Sequence, residues 1–136
     1  MVKMEELNRE ADAIRDAVFS MNEDKRREYY DKEGRVLADP DTYAVLNYFF
    51  FIGIHHLYLR RFTAFFVDML VLIAALVTLH NSEGGTGLVC GSLMIAFITI
   101  KGVYELMMSQ KIVTQHNNNK AKAILSDFNI KMPGLG

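Results

Sequence analysis

Two histidines, His55 and His56, stand side by side in an apolar stretch, and Arg60 and Arg61 follow closely. Imidazole groups bind metal ions and exchange protons near neutral pH, so the stretch "GIHHLYLRRF" first suggests catalysis or a metal site. Adjacent side chains on a helix point in different directions, so a metal site would need ligands from another segment or another copy. From the spacing alone we predict no metal ion.

The motifs of the common enzyme classes are absent from the sequence. It has no glycine-rich phosphate loop, no HExxH pair and no carboxylate pair placed for acid–base chemistry. The single cysteine, Cys90, excludes an intrachain disulfide and a cysteine metal cluster. The net charge of -1, without a basic stripe, gives no indication of nucleic-acid binding. We predict no catalytic residue, no cofactor and no enzymatic activity.

Three charged residues, Asp68, Lys101 and Glu105, interrupt long apolar runs. Asp68 lies as many residues after Arg61 as Lys101 lies before Met108. In an antiparallel helix pair, the side chains of Asp68 and Lys101 would therefore both lie about 10 Å from the same end. We predict an Asp68–Lys101 pair, with Glu105 one turn nearer the surface and beside Lys101. Either these charges neutralise each other and set the helix register, or they line a hydrated path.

The elements that carry these charges are long enough to cross a bilayer as helices. They cover residues 62–79 and 87–108, and Gly87, Gly91 and Gly102 predict that they pack closely. The turn 80–86 contains no Lys or Arg, which places it outside and both chain termini in the cytoplasm. The predicted fold is an all-α integral membrane protein with an antiparallel transmembrane helical hairpin.

A shorter apolar segment, residues 43–59, precedes this hairpin. Its length of about 17 residues is marginal for a membrane span, and it contains the polar Asn47. A complete span would also place the basic N-terminal region outside, against the positive-inside rule. We predict a re-entrant or interfacial segment, with a third membrane helix as the alternative.

The regions on either side of residues 43–108, the predicted membrane domain, are polar. Residues 1–38 form a cytoplasmic amphipathic helical region, and residues 109–136 form a polar cytoplasmic tail. Apolar residues of the first region recur every three or four positions, at Met4, Leu7, Ala11, Ile14, Val18 and Met21. This stripe predicts a helix that lies on the membrane domain or on lipid, or that pairs with a second copy or a partner protein.

Residues from about 43 to 117 resemble the TM-two domain family, small membrane proteins with two transmembrane segments. The family motif runs glycine, any residue, His or Asp, Arg, Phe, Tyr, Leu, Gly, and it falls on residues 53–60. Gly53, His55, Tyr58 and Leu59 match, whereas His56, Leu57 and Arg60 replace Arg, Phe and Gly; Tyr104, Glu105 and Asn117 follow the closing pattern. The resemblance implies an integral membrane protein of the longer bacterial type, in the inner membrane, without an assigned catalytic activity.

Together these features predict a non-enzymatic structural or adaptor subunit that forms homo-oligomers in lipid. Residues 1–38 would bind another copy or a cytoplasmic or membrane protein. The alternative is a small oligomeric ion channel with Asp68, Lys101 and the histidines near a hydrated path. A third interpretation is a lipid-interacting protein with Arg60 and Arg61 at the headgroups. His56 additionally predicts a pH-sensitive contact with lipid or with Glu105.

Overall fold

The computed structural model describes residues 3–49, 53–82 and 84–130, and these residues form α-helices without a β-strand. The helices are α1 Met4–Phe19, α2 Glu23–Gly34, α3 Pro40–Phe49, α4 Ile54–Tyr58, α5 Phe62–His80, α6 Gly85–Met107 and α7 Ser109–Asp127. The predicted all-α class is therefore confirmed. Parts of the predicted ranges 1–38, 43–59 and 109–136 lie outside the described residues, namely 1–2, 50–52 and 131–136.

The chain divides into two compact units. Unit 1 combines Met1–Asp39 with Lys111–Gly136, and unit 2 is Pro40–Gln110. Unit 1 therefore unites the N-terminal region with most of what the sequence indicated as a polar tail. Unit 2 contains the apolar helices and the charged residues within them.

The N-terminal region folds as two helices where the apolar stripe suggested one. α1 ends at Phe19, and Asn22 then caps α2 by accepting a hydrogen bond of 3.0 Å from the backbone N–H of Lys25. Glu23 and Asp24 follow in the first turn of α2, where the helix dipole favours negative charge. Asparagine before two acidic residues is a common helix start, and this local signal divides the region.

Most of the apolar stripe of α1 is buried inside unit 1, although Met4 at its start is exposed. Its core consists of Ile14, Ala17, Val18, Met21, Tyr29, Ala121, Ile124 and Leu125, which come from α1, α2, α7 and the turn after α1. The sequence assigned this stripe to the membrane domain, to lipid or to a partner. The stripe instead packs within its own chain, because α7 presents apolar side chains at matching positions.

The helix α7 contacts the N-terminal region through polar side chains. Asn118 and Lys122 both donate hydrogen bonds to the carboxylate of Glu10. The amide of Asn117 makes two hydrogen bonds of 2.9 Å with the backbone N–H and C=O of Ala38. Burial raises the pKa of Glu10, but the hydrogen bonds from Lys122 and Asn118 outweigh it and hold the pKa below its ordinary value. The polar tail thus completes the fold of unit 1.

In unit 2, α5 and α6 pack against each other in opposite directions. Asp68 near the start of α5 contacts Lys101 near the end of α6, and Leu79 near the end of α5 lies beside Gly91 near the start of α6. Both helices are long and apolar enough to cross a membrane, by length and composition. In their most apolar windows, only 11% of α5 and 17% of α6 is buried in the chain, so most of this apolar surface faces outward.

The outward faces of α5 and α6 carry large apolar side chains along their length. The exposed residues include Phe62, Phe66, Val67, Leu70, Ile73, Leu76 and Val77 on α5, and Leu88, Val89, Leu93, Phe97, Ile100, Val103 and Met107 on α6. Monomeric proteins in water rarely expose contiguous apolar patches of this extent. This surface is consistent with a membrane location for the two helices.

The segment before α5 contains two short helices. α3 has ten residues, which is about 15 Å of helix, and α4 has five residues. Neither approaches the about 30 Å thickness of a bilayer core. Gly53, directly before α4, has a φ of +81°, which no α-helix accommodates. The described part of residues 43–59 is thus not one continuous helix.

Candidate functional site

Gly53 and α4 position the two adjacent histidines against α5 and α6. A side-chain carbon at Gly53 would lie 3.1 Å from Asp68 Oδ2 and 3.2 Å from Asp68 Cβ, and the positive φ is itself strained for other residues. Glycine is therefore required both by the backbone conformation and by the space beside Asp68. Its position starts α4 so that His55 and His56 are both buried.

The histidines join three charged side chains, and we call His55, His56, Asp68, Lys101 and Glu105 the charge cluster. Lys101 Nζ lies 2.9 and 2.7 Å from the two carboxylate oxygens of Asp68 and 3.2 Å from Glu105 Oε1. His55 Nε2 lies 2.9 Å from Glu105 Oε2, and His56 Nε2 lies 3.1 Å from Asp68 Oδ2. Helices α4, α5 and α6 are thus joined by charged and polar contacts at one place.

The structure brings the three predicted charged residues together, and it adds the histidines. The expectation that neighbouring histidines point apart is wrong, since the ring centroids of His55 and His56 are 4.1 Å apart. About 100° separates adjacent positions on a helix, and the two rings use this angle to reach different oxygens of one carboxylate. His55 contacts Glu105 Oε2, and His56 Nε2 lies 3.6 Å from Glu105 Oε1.

The structure shows one of the two contacts predicted for His56. Its side chain is buried and lies beside Glu105 and Asp68. His55 is buried as well, although the sequence suggested a position near the headgroups. The exposed charged groups at this end of α5 are those of Arg60 and Arg61.

Two polar residues of α3, Tyr43 and Asn47, complete the surroundings of the cluster. The Tyr43 ring packs edge-on against His55, with centroids 5.1 Å apart. Asn47 Nδ2 donates a hydrogen bond of 2.8 Å to the backbone carbonyl of Gly102 on α6. In the sequence, Asn47 indicated only that residues 43–59 do not form a complete membrane span. A fully buried asparagine in an apolar run is, however, itself a signal of a specific polar partner.

The remaining motif positions lie in the connection between α4 and α5. Leu59 is buried and Tyr58 is half-buried. Arg60 has a φ of +56°, in the left-handed region that glycine adopts most easily. This is the position at which the TM-two domain motif has glycine, so the local backbone accounts for the family residue. Arg61 is the N-cap residue directly before α5 and has a φ of -89°.

Replacing Arg60 with glycine is expected to stabilise the protein, by up to about 1 kcal/mol. The left-handed conformation costs a residue with a side chain about 1–2 kcal/mol, and the flexibility of glycine in the unfolded chain offsets about 0.5–1 kcal/mol. Unfolding in detergent measures the change. The matched control is Arg61→Gly, at a residue with negative φ, which we expect to be destabilising. If Arg60→Gly lost as much stability as Arg61→Gly, the backbone at Arg60 would not be strained.

The glycines predicted for helix packing differ in what surrounds them. A side-chain carbon at Gly91 would lie 2.5 Å from Leu79 Cγ and 3.1 Å from the backbone oxygen of Ala75. One at Gly87 would lie 2.5 Å from Ser82 Cβ. Gly102 is buried and accepts the hydrogen bond of Asn47. Gly91 is therefore the position where close approach of α5 and α6 most requires a missing side chain.

Unit 1 contains a separate feature, an open cleft of about 360 Å³ with a mixed apolar and polar lining. It is lined by Ala11, Ile14, Arg15, Val18, Phe19, Tyr29, Tyr30, Glu33, Leu37, Asn117, Asn118 and Ala121. At its wall the Tyr29 hydroxyl donates a hydrogen bond of 2.8 Å to Glu33. Burial, together with this neighbouring carboxylate, raises the pKa of Tyr29. Phe19, Tyr30 and Leu37 remain exposed, so the cleft has apolar side chains at its surface.

Comparison with known proteins finds no match for this chain. No family model matches the chain, and neither a curated protein nor a solved structure matches it. The likeness of residues 43–117 to the TM-two domain family therefore rests on the motif residues themselves and stays a prediction.

Proposed function

We propose that this chain is an integral membrane protein in which α5 and α6 cross the bilayer. The outward apolar faces of the two helices support this most directly, since lipid would cover them. The charged residues of the same helices, Asp68, Lys101 and Glu105, turn instead toward one another. Charges within membrane segments commonly face protein partners in this manner.

We further propose that the membrane is the inner membrane of a bacterium, with both termini in the cytoplasm. The turn between α5 and α6 carries no Lys or Arg in its sequence, whereas Arg60 and Arg61 stand at the other end of α5. Their exposed guanidinium groups would lie at the lipid headgroups. The short helices α3 and α4 would then enter the bilayer from the cytoplasmic side, or lie at its surface, without crossing it.

Within this membrane we propose a non-enzymatic structural or adaptor subunit that assembles with its own copies or with a second protein. The cleft of unit 1 is the observation that supports this role. Since the α1 stripe lies in the core of unit 1, the partner would bind at Phe19, Tyr30 and Leu37. Exposed aromatic side chains are the residues that most often anchor protein interfaces.

The test uses the full chain, because residues 1–38 alone lack the α7 side chains that complete the core of unit 1. We expect the intact mass in mild detergent to exceed the 15.5 kDa of one chain, through further copies or a stoichiometric second protein. Joint replacement of Phe19 and Tyr30 with serine should dissociate the assembly. Val36→Ser, at an exposed apolar residue outside the cleft, should not. Single chains in both detergent and lipid nanodiscs would overturn the proposal.

The charge cluster supports a second candidate, a small oligomeric ion channel. Ionisable groups of three helices lie within hydrogen-bond distance there, as in a polar path through an apolar region. Liposomes that contain only this protein separate the two functions. Ion flux that Asp68→Asn abolishes would favour the channel, whereas absence of flux from about pH 5 to about pH 8, where histidine titrates, would favour the adaptor.

A further inference from the structure

The charge cluster contains the donor atoms of a transition-metal site. The ligand atoms of His55, His56 and Glu105 all lie within 4.8 Å of one another. Asp68 adds a further carboxylate, with Oδ2 at 3.1 Å from His56 Nε2. Two imidazole nitrogens with carboxylate oxygens form a donor set that binds Zn²⁺ and other divalent first-row metal ions. Helices α4, α5 and α6 each supply at least one of these donors, which the sequence did not indicate.

The ammonium group of Lys101 lies among these same donors. Its nitrogen contacts both oxygens of Asp68, lies 3.2 Å from Glu105 Oε1 and lies 3.2 Å from His56 Nε2. His56 Nε2 can accept a hydrogen bond from this ammonium group or donate one to Asp68 Oδ2, according to its tautomer. In the tautomer with the ring proton on Nδ1, Nε2 is the atom able to bind a metal ion. The cluster is therefore already arranged around a cation.

The hydrogen bonding of the cluster is incomplete within the described part of the chain. Four buried side-chain atoms have no hydrogen-bond partner there, and all belong to residues in or beside the cluster: Tyr43 Oη, Asn47 Oδ1, His55 Nδ1 and His56 Nδ1. Buried polar atoms almost always have a partner in folded proteins. No partner in the described residues fixes a proton on Nδ1 or Nε2 of either histidine, so each ring can present Nε2 to a metal ion.

We propose that His55, His56, Glu105 and Asp68 bind one divalent transition-metal ion, and that the ion displaces the Lys101 ammonium group. With neutral imidazoles, the two carboxylates and Lys101 leave one excess negative charge in a buried site. A divalent ion would balance both carboxylates once Lys101 has moved away. The Lys101 side chain is 30% exposed, so it has a route out of the cluster. This inference is independent of the partner and of ion conduction.

The experiment titrates Zn²⁺ into the full-length, metal-stripped protein in detergent by calorimetry, and uses Co²⁺ as a spectroscopic probe. We expect one Zn²⁺ per chain and visible Co²⁺ absorption bands. Glu105→Gln should weaken Zn²⁺ binding by more than about tenfold, since even indirect changes around metal ligands cost about that much. His80→Ala, at an exposed histidine at the end of α5, should leave the affinity unchanged.

Lys101→Met should change Zn²⁺ affinity in the direction opposite to Glu105→Gln. This second variant tests the site even if Glu105→Gln fails to fold. Because Zn²⁺ would no longer have to displace a positively charged group from the two carboxylates, its affinity should rise by more than about tenfold. Adventitious binding at the surface would not respond in this direction. Absence of the Co²⁺ bands, or equal Zn²⁺ affinity for the wild-type and Lys101→Met proteins, would overturn the proposal.

Discussion

Asp68→Ala is expected to destabilise the protein by about 1.5–3 kcal/mol, the range for a lost hydrogen bond to a charged group. The loss is smaller than for a fully buried ion pair, because the Lys101 side chain is 30% exposed. Lys101 would lose the two shortest of its contacts, 2.7 and 2.9 Å, and retain Glu105 as its only carboxylate partner in the cluster. His56 would lose its 3.1 Å contact as well. Unfolding of the metal-stripped protein in detergent, monitored by circular dichroism, measures the loss.

The matched control is Asp12→Ala, which removes an aspartate from an ion pair of similar length at the surface of unit 1. Asp12 lies 2.8 Å from Arg15, but the two side chains are 64% and 63% exposed. Pairs of this kind contribute about 0–1 kcal/mol, because water screens them. Equal losses for Asp68→Ala and Asp12→Ala would mean that the cluster does not stabilise the fold through buried charge.

Replacing both Asp68 and Lys101 shows whether the stability lost by Asp68→Ala comes from an unpaired charge or from lost packing. In the double variant with Asp68→Ala and Lys101→Met, no ammonium group remains without its aspartate. Part of the stability lost by Asp68→Ala should therefore return, because replacing a whole buried pair is often close to neutral. A double variant as unstable as the sum of the two single variants would contradict coupling between them.

Gly91→Leu is expected to destabilise the pairing of α5 and α6 by about 1–3 kcal/mol, the usual cost of overpacking. Even the first side-chain carbon would meet Leu79 at 2.5 Å and the backbone of Ala75 at 3.1 Å. The end of Leu79 can rotate away, but the carbonyl oxygen of Ala75 cannot. Thermal unfolding in detergent reports the effect.

Gly85→Leu is the control for Gly91→Leu, because it introduces the same side chain into the same helix. A side-chain carbon at Gly85 would meet no atom within 4 Å. Leucine also favours helix more than glycine does, by about 0.8 kcal/mol, so we expect no loss of stability at this position. A Gly91→Leu protein as stable as Gly85→Leu would show that close approach at Gly91 is not needed.

The proximity of Asp68 and Lys101 could be predicted because it depends on few variables. The rise of an α-helix is constant, so counting residues from a shared end places both side chains at one depth. The cost of an isolated charge in an apolar setting then favours a pair. No knowledge of side-chain packing was required.

The convergence of His55 and His56 could not be predicted in the same way. It depends on the left-handed backbone of Gly53, which starts the five-residue helix α4 beside Asp68. Hydrophobic periodicity contains no information on such a conformation, because α4 spans little more than one turn. The motif glycine at residue 53 was the only sequence signal for it.

Unit 1 illustrates a different limit of sequence reasoning. The stripe on α1 was correctly recognised as apolar, but the surface that covers it comes from α7, about 100 residues later. The asparagines and lysines of α7 gave that region the composition of a polar tail. Val113, Ala121, Ile124 and Leu125 are nevertheless buried at spacings that suit one helix face, and this weak pattern was the available signal.

Cysteine accessibility tests the membrane assignment and its orientation together. Cys90 is the only cysteine, so Cys90→Ser gives a background into which Asn81→Cys, in the turn after α5, or Ser126→Cys, on α7, can be introduced. Both positions are exposed. We expect a membrane-impermeant maleimide to label Asn81→Cys in intact bacterial cells, and to label Ser126→Cys only after the cells are permeabilised. Labelling of Ser126→Cys in intact cells, or recovery of the protein in the soluble fraction, would contradict a chain that crosses the membrane at α5 and α6.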